Sequence, residues 1–131
     1  MKWQKTALLV IDMQRDFLDP GGYAATAGLD ISALRQPIPA IQTLLAAARR
    51  QSMLIVHTRE GHRADLSDCP PTKMARSRAA GAEIGSPGPL GRLLVRGEYG
   101  HDIIDELRPL DSEPVVDKPG YSAFANTGPL K

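Results

Sequence analysis

Three places in this sequence put chemically capable side chains directly after an aliphatic run. Ala7-Leu8-Leu9-Val10-Ile11 ends in Asp12. Met53-Leu54-Ile55-Val56-His57-Thr58 leads into Arg59-Glu60-Gly61-His62. Val115-Val116 ends in Asp117-Lys118. Carboxylate, imidazole and ammonium groups are the types that move protons or hold charged and polar substrates. Short aliphatic runs of this kind fit strands buried on both faces, as in a parallel sheet. In such a sheet, ligands bind beyond the carboxyl ends of the strands. Topology alone therefore allows Asp12 and Lys118 to converge. It equally allows Asp12 to cap a loop and Lys118 to be solvated.

The elements that would position these residues can be placed along the chain. Ala7 to Ile11 is the first strand. Residues 13 to 36 read as a loop, with Pro20-Gly21-Gly22 marking a turn. Ile38, Ile41, Leu44, Leu45 and Ala48 fall at helical spacing, with Pro37 and Pro39 near the start. Met53 to Thr58 is the second strand, which completes a βαβ unit with an expected right-handed crossover. Residues 59 to 100 read as irregular, rich in Gly and Pro, and so long a stretch implies functional loops or a cap. A short amphipathic helix is expected around Asp102 to Leu107, then a third strand over Pro114 to Asp117. Asn126-Thr127-Gly128-Pro129-Leu130 looks like a helix start, with a capping Thr and Pro just inside.

At 131 residues, 42% hydrophobic and 24% charged, the chain is the size of one globular domain. A net charge of +1 gives no global pull toward nucleic acid or a membrane, and neither partner is expected. No apolar stretch approaches membrane-spanning length. The single cysteine, Cys69, cannot form an internal disulfide. Met1-Lys2-Trp3-Gln4-Lys5 leads straight into a strand-like run, without a signal-peptide pattern. The expected location is cytoplasmic. The first strand is followed by Asp-Met-Gln, with no G-x-G-x-x-G, so a dinucleotide site is not supported.

Asp12-Met13-Gln14-Arg15-Asp16-Phe17 and Lys118-Pro119-Gly120-Tyr121-Ser122-Ala123-Phe124 resemble the first and second motifs of the isochorismatase-like cysteine hydrolases. The segment from His57 to Leu66, with Gly88 to Arg92 and Arg96-Gly97-Glu98, is similar to the biuret and ureide amidohydrolase branch. The resemblance implies an α/β fold of three layers, α/β/α, around a parallel sheet of Rossmann-like order 3-2-1-4-5-6. This chain would hold the 3-2-1 half, as the N-terminal portion of one domain. The implied reaction is cysteine-dependent hydrolysis of a C–N bond in a small urea-like amide, through an acyl-enzyme. Asp12 would take the thiol proton and pass it to the departing amine. Lys118 would lower the cysteine pKa and hold the aspartate. Phe17 would line the substrate pocket. The nucleophilic cysteine and the backbone oxyanion donors of the family would lie beyond Lys131.

Cys69, in Ser67-Asp68-Cys69-Pro70-Pro71, lies in a loop with nothing local to fix or activate it, and is expected to be an incidental thiol. Nicotinamidases of the same superfamily bind a metal through an Asp and two His after the second strand. Here Glu60 and His62 stand nearest, with Asp65 or Leu66 where the second His would fall, so no metal and no other cofactor is expected. Glu60 and His62 would contact substrate or brace the loop; a solvated loop is the other possibility. His57, inside the strand end, suits a hydrogen-bonded core histidine. An alternative function is a non-catalytic half-domain serving as an assembly or binding module. The first strand would be an open edge, and natural proteins do not leave such an edge bare. A homo-oligomer or a completing segment is therefore expected beside the small-molecule amide substrate.

Overall fold

The computed structural model describes residues 2–125. Three strands, β1 (Ala7–Ile11), β2 (Leu54–Glu60) and β3 (Val115–Lys118), form one parallel sheet with β2 in the centre. The register pairs Ile11 with Thr58 and Lys118 with Glu60, so the strands end level with one another. This is the expected 3-2-1 order. The second strand runs two residues further than the sequence suggested, because Arg59 and Glu60 still find ladder partners in Asp117 and Lys118.

The helix expected after the first loop is α4 (Ile38–Arg50), with Pro39 in its first turn. Its buried residues Ile38, Leu45 and Ala48 pack with Val10 of β1 and Ile55 of β2, and with Leu18, Ile103, Ile104 and Leu107. Burying an aliphatic side chain of this size contributes about 1.5–3 kcal/mol. Leu44, at the edge of the apolar stripe, points outward and is 54% exposed.

Three parts of the loop reading change. Residues 13 to 36 contain three short helices, α1 (Arg15–Leu18), α2 (Tyr23–Thr26) and α3 (Ile31–Arg35). They are too short for a periodic apolar face, and α3 is capped locally by Asp30 Oδ1 accepting from Ser32 N at 2.9 Å. The stretch from 59 to 100 contains α5 (Pro71–Ala79). Its sequence, Pro-Thr-Lys-Met-Ala-Arg-Ser-Arg-Ala, lacks an apolar stripe, and only Ser77 is buried. The expected helix at Asp102 to Leu107 is a single 3₁₀ turn, Asp105–Leu107, preceded by another at Tyr99–His101. The expected helix start at Asn126 to Leu130 lies outside the described residues.

One face of the sheet carries α4. The other, presenting Leu9, Ile11, Leu54 and Val56, has no helix across it among the described residues. It borders a groove of about 610 Å³ closed at one end by Tyr121 to Phe124. Leu9 and Ile11 are 56% and 58% exposed there. No helix among the described residues is long and apolar enough to cross a membrane.

Candidate active site

The level strand ends bring Asp12 and Lys118 together. Lys118 Nζ donates to Asp12 Oδ2 at 2.7 Å and to the Gly120 carbonyl at 2.9 Å. The residue is 1% exposed, so it is a buried ammonium and not a solvated one. The other oxygen, Asp12 Oδ1, accepts from the Thr58 hydroxyl at 2.6 Å. The Asp12 amide in turn donates to the Thr58 carbonyl at 3.1 Å. Asp12 has φ +54°, in the left-handed region that costs a non-glycine residue about 1–2 kcal/mol. Strain of this kind persists where surrounding structure over-determines it, and it gathers at functional sites.

Glu60, paired in register with Lys118, extends the line of charge. Its Oε2 is 3.8 Å from Lys118 Nζ, and its Oε1 accepts from Lys73 Nζ. Lys73 also donates to the Pro119 carbonyl at 2.8 Å, which fastens α5 over the end of β3. Charges therefore alternate across the strand ends: Asp12, Lys118, Glu60, Lys73. The Gln14 side chain fixes the base of this arrangement. Its amide donates to the Glu60 and His101 carbonyls, both at 2.8 Å, and its oxygen accepts from Glu60 N at 2.7 Å.

Beside this line lies a cavity of about 150 Å³. Glu60, Lys73 and Arg76 supply its charge. Phe17, Tyr23, Leu94, Ser77 and Tyr121 supply the rest of its wall. Phe17 is thus placed at the pocket, edge-to-face with Tyr23 at 6.2 Å between ring centroids. Burial pushes the Tyr23 hydroxyl pKa up, and the nearby Glu60 charge adds to this. The volume is below the roughly 300–1,000 Å³ of drug-sized pockets and suits a small molecule.

His62 does not line this cavity. Its ring is buried with Nδ1 3.3 Å from Asp68 Oδ1, and its backbone bonds Leu94 and Arg96. It braces the loop beneath the pocket, and burial lowers its pKa. His57 is a core histidine, with Nε2 2.8 Å from Glu113 Oε2. Glu60 faces two ammonium groups, which is poor electrostatics for a cation site. No group of three or more His, Cys, Asp or Glu among the described residues is arranged to hold a metal. Cys69 stands in the loop before α5, and burial pushes its thiol pKa up, partly opposed by the charge of Lys73.

Thr58, Lys73, Gln14, Tyr23 and Arg76 were not singled out from sequence. Thr58 had a signal: it is a hydroxyl residue at the end of a strand, directly opposite Ile11. Lys73 and Arg76 had little, because they sit in a helix without an apolar face. The consecutive prolines at 70 and 71 were its one start signal.

An Isochorismatase domain model matches residues 6–129. The chain belongs to the isochorismatase family. Among solved structures, it is similar to an isochorismatase family protein from Desulfovibrio vulgaris subsp. vulgaris str. Hildenborough. That match has 33% identity and a TM-score of 0.68, and covers 92% of this chain and 56% of that one. It is also similar to a cysteine hydrolase from Pseudomonas syringae pv. phaseolicola 1448A, at 26% identity and a TM-score of 0.68, covering 97% of this chain and 52% of that one. N-carbamoylsarcosine amidase from Thermoplasma acidophilum shares the fold, at 22% identity and a TM-score of 0.58, covering 92% of this chain and 56% of that one. The chain spans about half the length of these structures.

Proposed function

We propose that this chain supplies the aspartate and lysine of a cysteine hydrolase that cleaves the C–N bond of a small urea-like amide, such as biuret or a ureido or carbamoyl compound. The observation that carries this reading is Asp12. It is held in a strained left-handed conformation with one oxygen on Lys118 and the other on Thr58, at the head of a line of charge whose members Glu60 and Lys73 border a small cavity. Strain of this kind at a buried ion pair is a pointer to function.

In the proposed reaction Asp12 takes the proton of a cysteine thiol, and the thiolate attacks the amide carbon. The C–N bond then breaks, the departing nitrogen receives the proton from Asp12, and water hydrolyses the thioester that remains. Lys118 stabilises the thiolate and holds the Asp12 carboxylate. Glu60 accepts from the N–H groups of the substrate, and Phe17 packs against it.

The nucleophile in this reading is a cysteine outside the present sequence, in a segment that completes the domain. Two observations support that choice. Cys69 lies in a loop where burial disfavours its thiolate, the opposite of an activated nucleophile. The exposed β1 edge and apolar sheet face also call for a cover. That cover is a completing segment, or else a second copy of the chain.

The test is an assay on biuret and ureido acids, with the 131-residue chain alone and joined to a completing segment. The chain alone is expected to be inactive, and the completed protein active in both wild-type and Cys69→Ser forms. Turnover by the chain alone that disappears in Cys69→Ser would move the nucleophile to Cys69. A completed protein that turns over no carbamoyl or ureido compound would sink the proposed reaction.

A further inference from the structure

The charges around the cavity do not balance. Asp12 is paired with Lys118, and Glu60 with Lys73. Arg76, on α5, lines the same cavity and ion-pairs with no carboxylate among the described residues. Its Nη1 donates to the hydroxyl of Tyr121 at 3.1 Å. The Tyr121 ring lies over Lys73, with its centroid 5.8 Å from Nζ, so this one side chain bridges both cations at the cavity wall. The charge of Arg76 is felt at Tyr23, across the pocket, where it acts against the charge of Glu60. In the cavity lining itself, Glu60 is matched by Lys73 and Arg76 is left over, so the lining carries a surplus positive charge.

We infer that Arg76, held by Tyr121, binds a carboxylate on the substrate, and that the substrate is a ureido or carbamoyl acid and not a neutral amide such as biuret. This rests on the proposed function for the identity of the reacting group, but the anion preference is carried by Arg76. Guanidinium is suited to the task, since its planar fork meets a carboxylate with two parallel N–H donors. Two different groups of the lining then read the two ends of the molecule. Glu60 takes the urea N–H groups, and Arg76 takes the acid. A neutral amide would leave Arg76 unmatched and gain nothing from it.

The experiment compares 3-ureidopropionate, its neutral primary amide and biuret. Binding to the full 131-residue chain is followed by NMR titration, and kcat/KM is measured in the completed protein. Wild type is expected to favour the acid over its amide by about tenfold or more, the size of a charge-assisted contact. Arg76→Gln should abolish that preference, while Arg76→Lys restores part of it. In kinetics the loss should appear in KM and not in kcat. Arg76 is exposed and its removal leaves no buried partner, so circular dichroism should report an unchanged fold. Equal affinity for acid and amide in wild type, absence of binding to the acid, or an acid preference that survives Arg76→Gln would each overturn the inference. Absence of turnover with the binding preference intact would instead remove the proposed reaction and leave the anion site standing.

Discussion

Opposite ends of the same three strands carry two networks of buried charge, and they are built on different terms. Before β3, Glu113 takes Arg49 on both oxygens, at 2.7 and 3.0 Å, while its Oε2 also meets His57 Nε2 at 2.8 Å and the Leu110 amide at 3.2 Å. Burial opposes the charge of Glu113, but the bonds from Arg49 and His57 outweigh it and hold its pKa down to about 2. These groups tie α4 to the entry of β3, and they line neither the 150 Å³ cavity nor the 610 Å³ groove. Beyond the other end of the strands, Asp12, Lys118, Glu60 and Lys73 also form pairs, yet Asp12 is strained and the line borders a cavity with a surplus cation. Buried charge with relaxed backbone and complete partners is architecture. Buried charge with strain and an adjoining space is a candidate for chemistry.

The largest effect should come from the strand-end network. In a completed protein, Asp12→Asn and Lys118→Met are expected to lower turnover by about 10²–10⁴-fold, as for loss of a general base or its partner, with the fold kept. A near-normal rate in either variant, measured alongside thermal unfolding, would erase the difference drawn between the two networks. Glu113→Ala should do the reverse. It should cost roughly 2–3 kcal/mol in urea unfolding, less than the 3–5 typical of a fully buried pair because Arg49 still reaches solvent. Activity per folded molecule should be unchanged.

The smallest and most gradual effect is on pH. Burial pushes the pKa of His101 down to about 4 from its ordinary 6.5, despite the opposing charge of Asp117. A histidine depressed in the folded state is protonated first in the unfolded chain. Its contribution is therefore complete above about pH 6.5 and is lost as pH falls toward 4, by up to about 3 kcal/mol. Glu113, depressed from 4.5, adds a second loss between its unfolded value and about 2. Urea denaturation from about pH 7 to about pH 4 should show the first limb, and His101→Asn should flatten it. A pH-independent midpoint across that range would show that His101 titrates normally.

Legibility followed the range of the interactions. The three strands and α4 were legible because aliphatic runs and helical spacing carry their pattern locally, whereas the strand order came from the family resemblance and the meeting of Asp12 with Lys118 was left open. The parallel topology then fixes where the strand ends fall. The short helices α1 to α3 were not legible, since four or five residues cannot display a helical period. His62 shows the limit for single residues. Its place after β2 matched a site position, but only its bonds to Asp68, Leu94 and Arg96 turn it into the loop.

By itself the sequence determined the α/β class, the parallel sheet and the residues that stand at the strand ends, because period and run length are properties of consecutive residues. Tertiary structure alone decided which of those residues pair and which adjoin a cavity. Lys73 and Arg76 reach the site from a helix that carries no apolar face, across 13 residues to Glu60 and 45 to Tyr121. Thr58 meets Asp12 from 46 residues away. Contacts at such separations depend on the register of the sheet and the path of the loops, which no local pattern encodes.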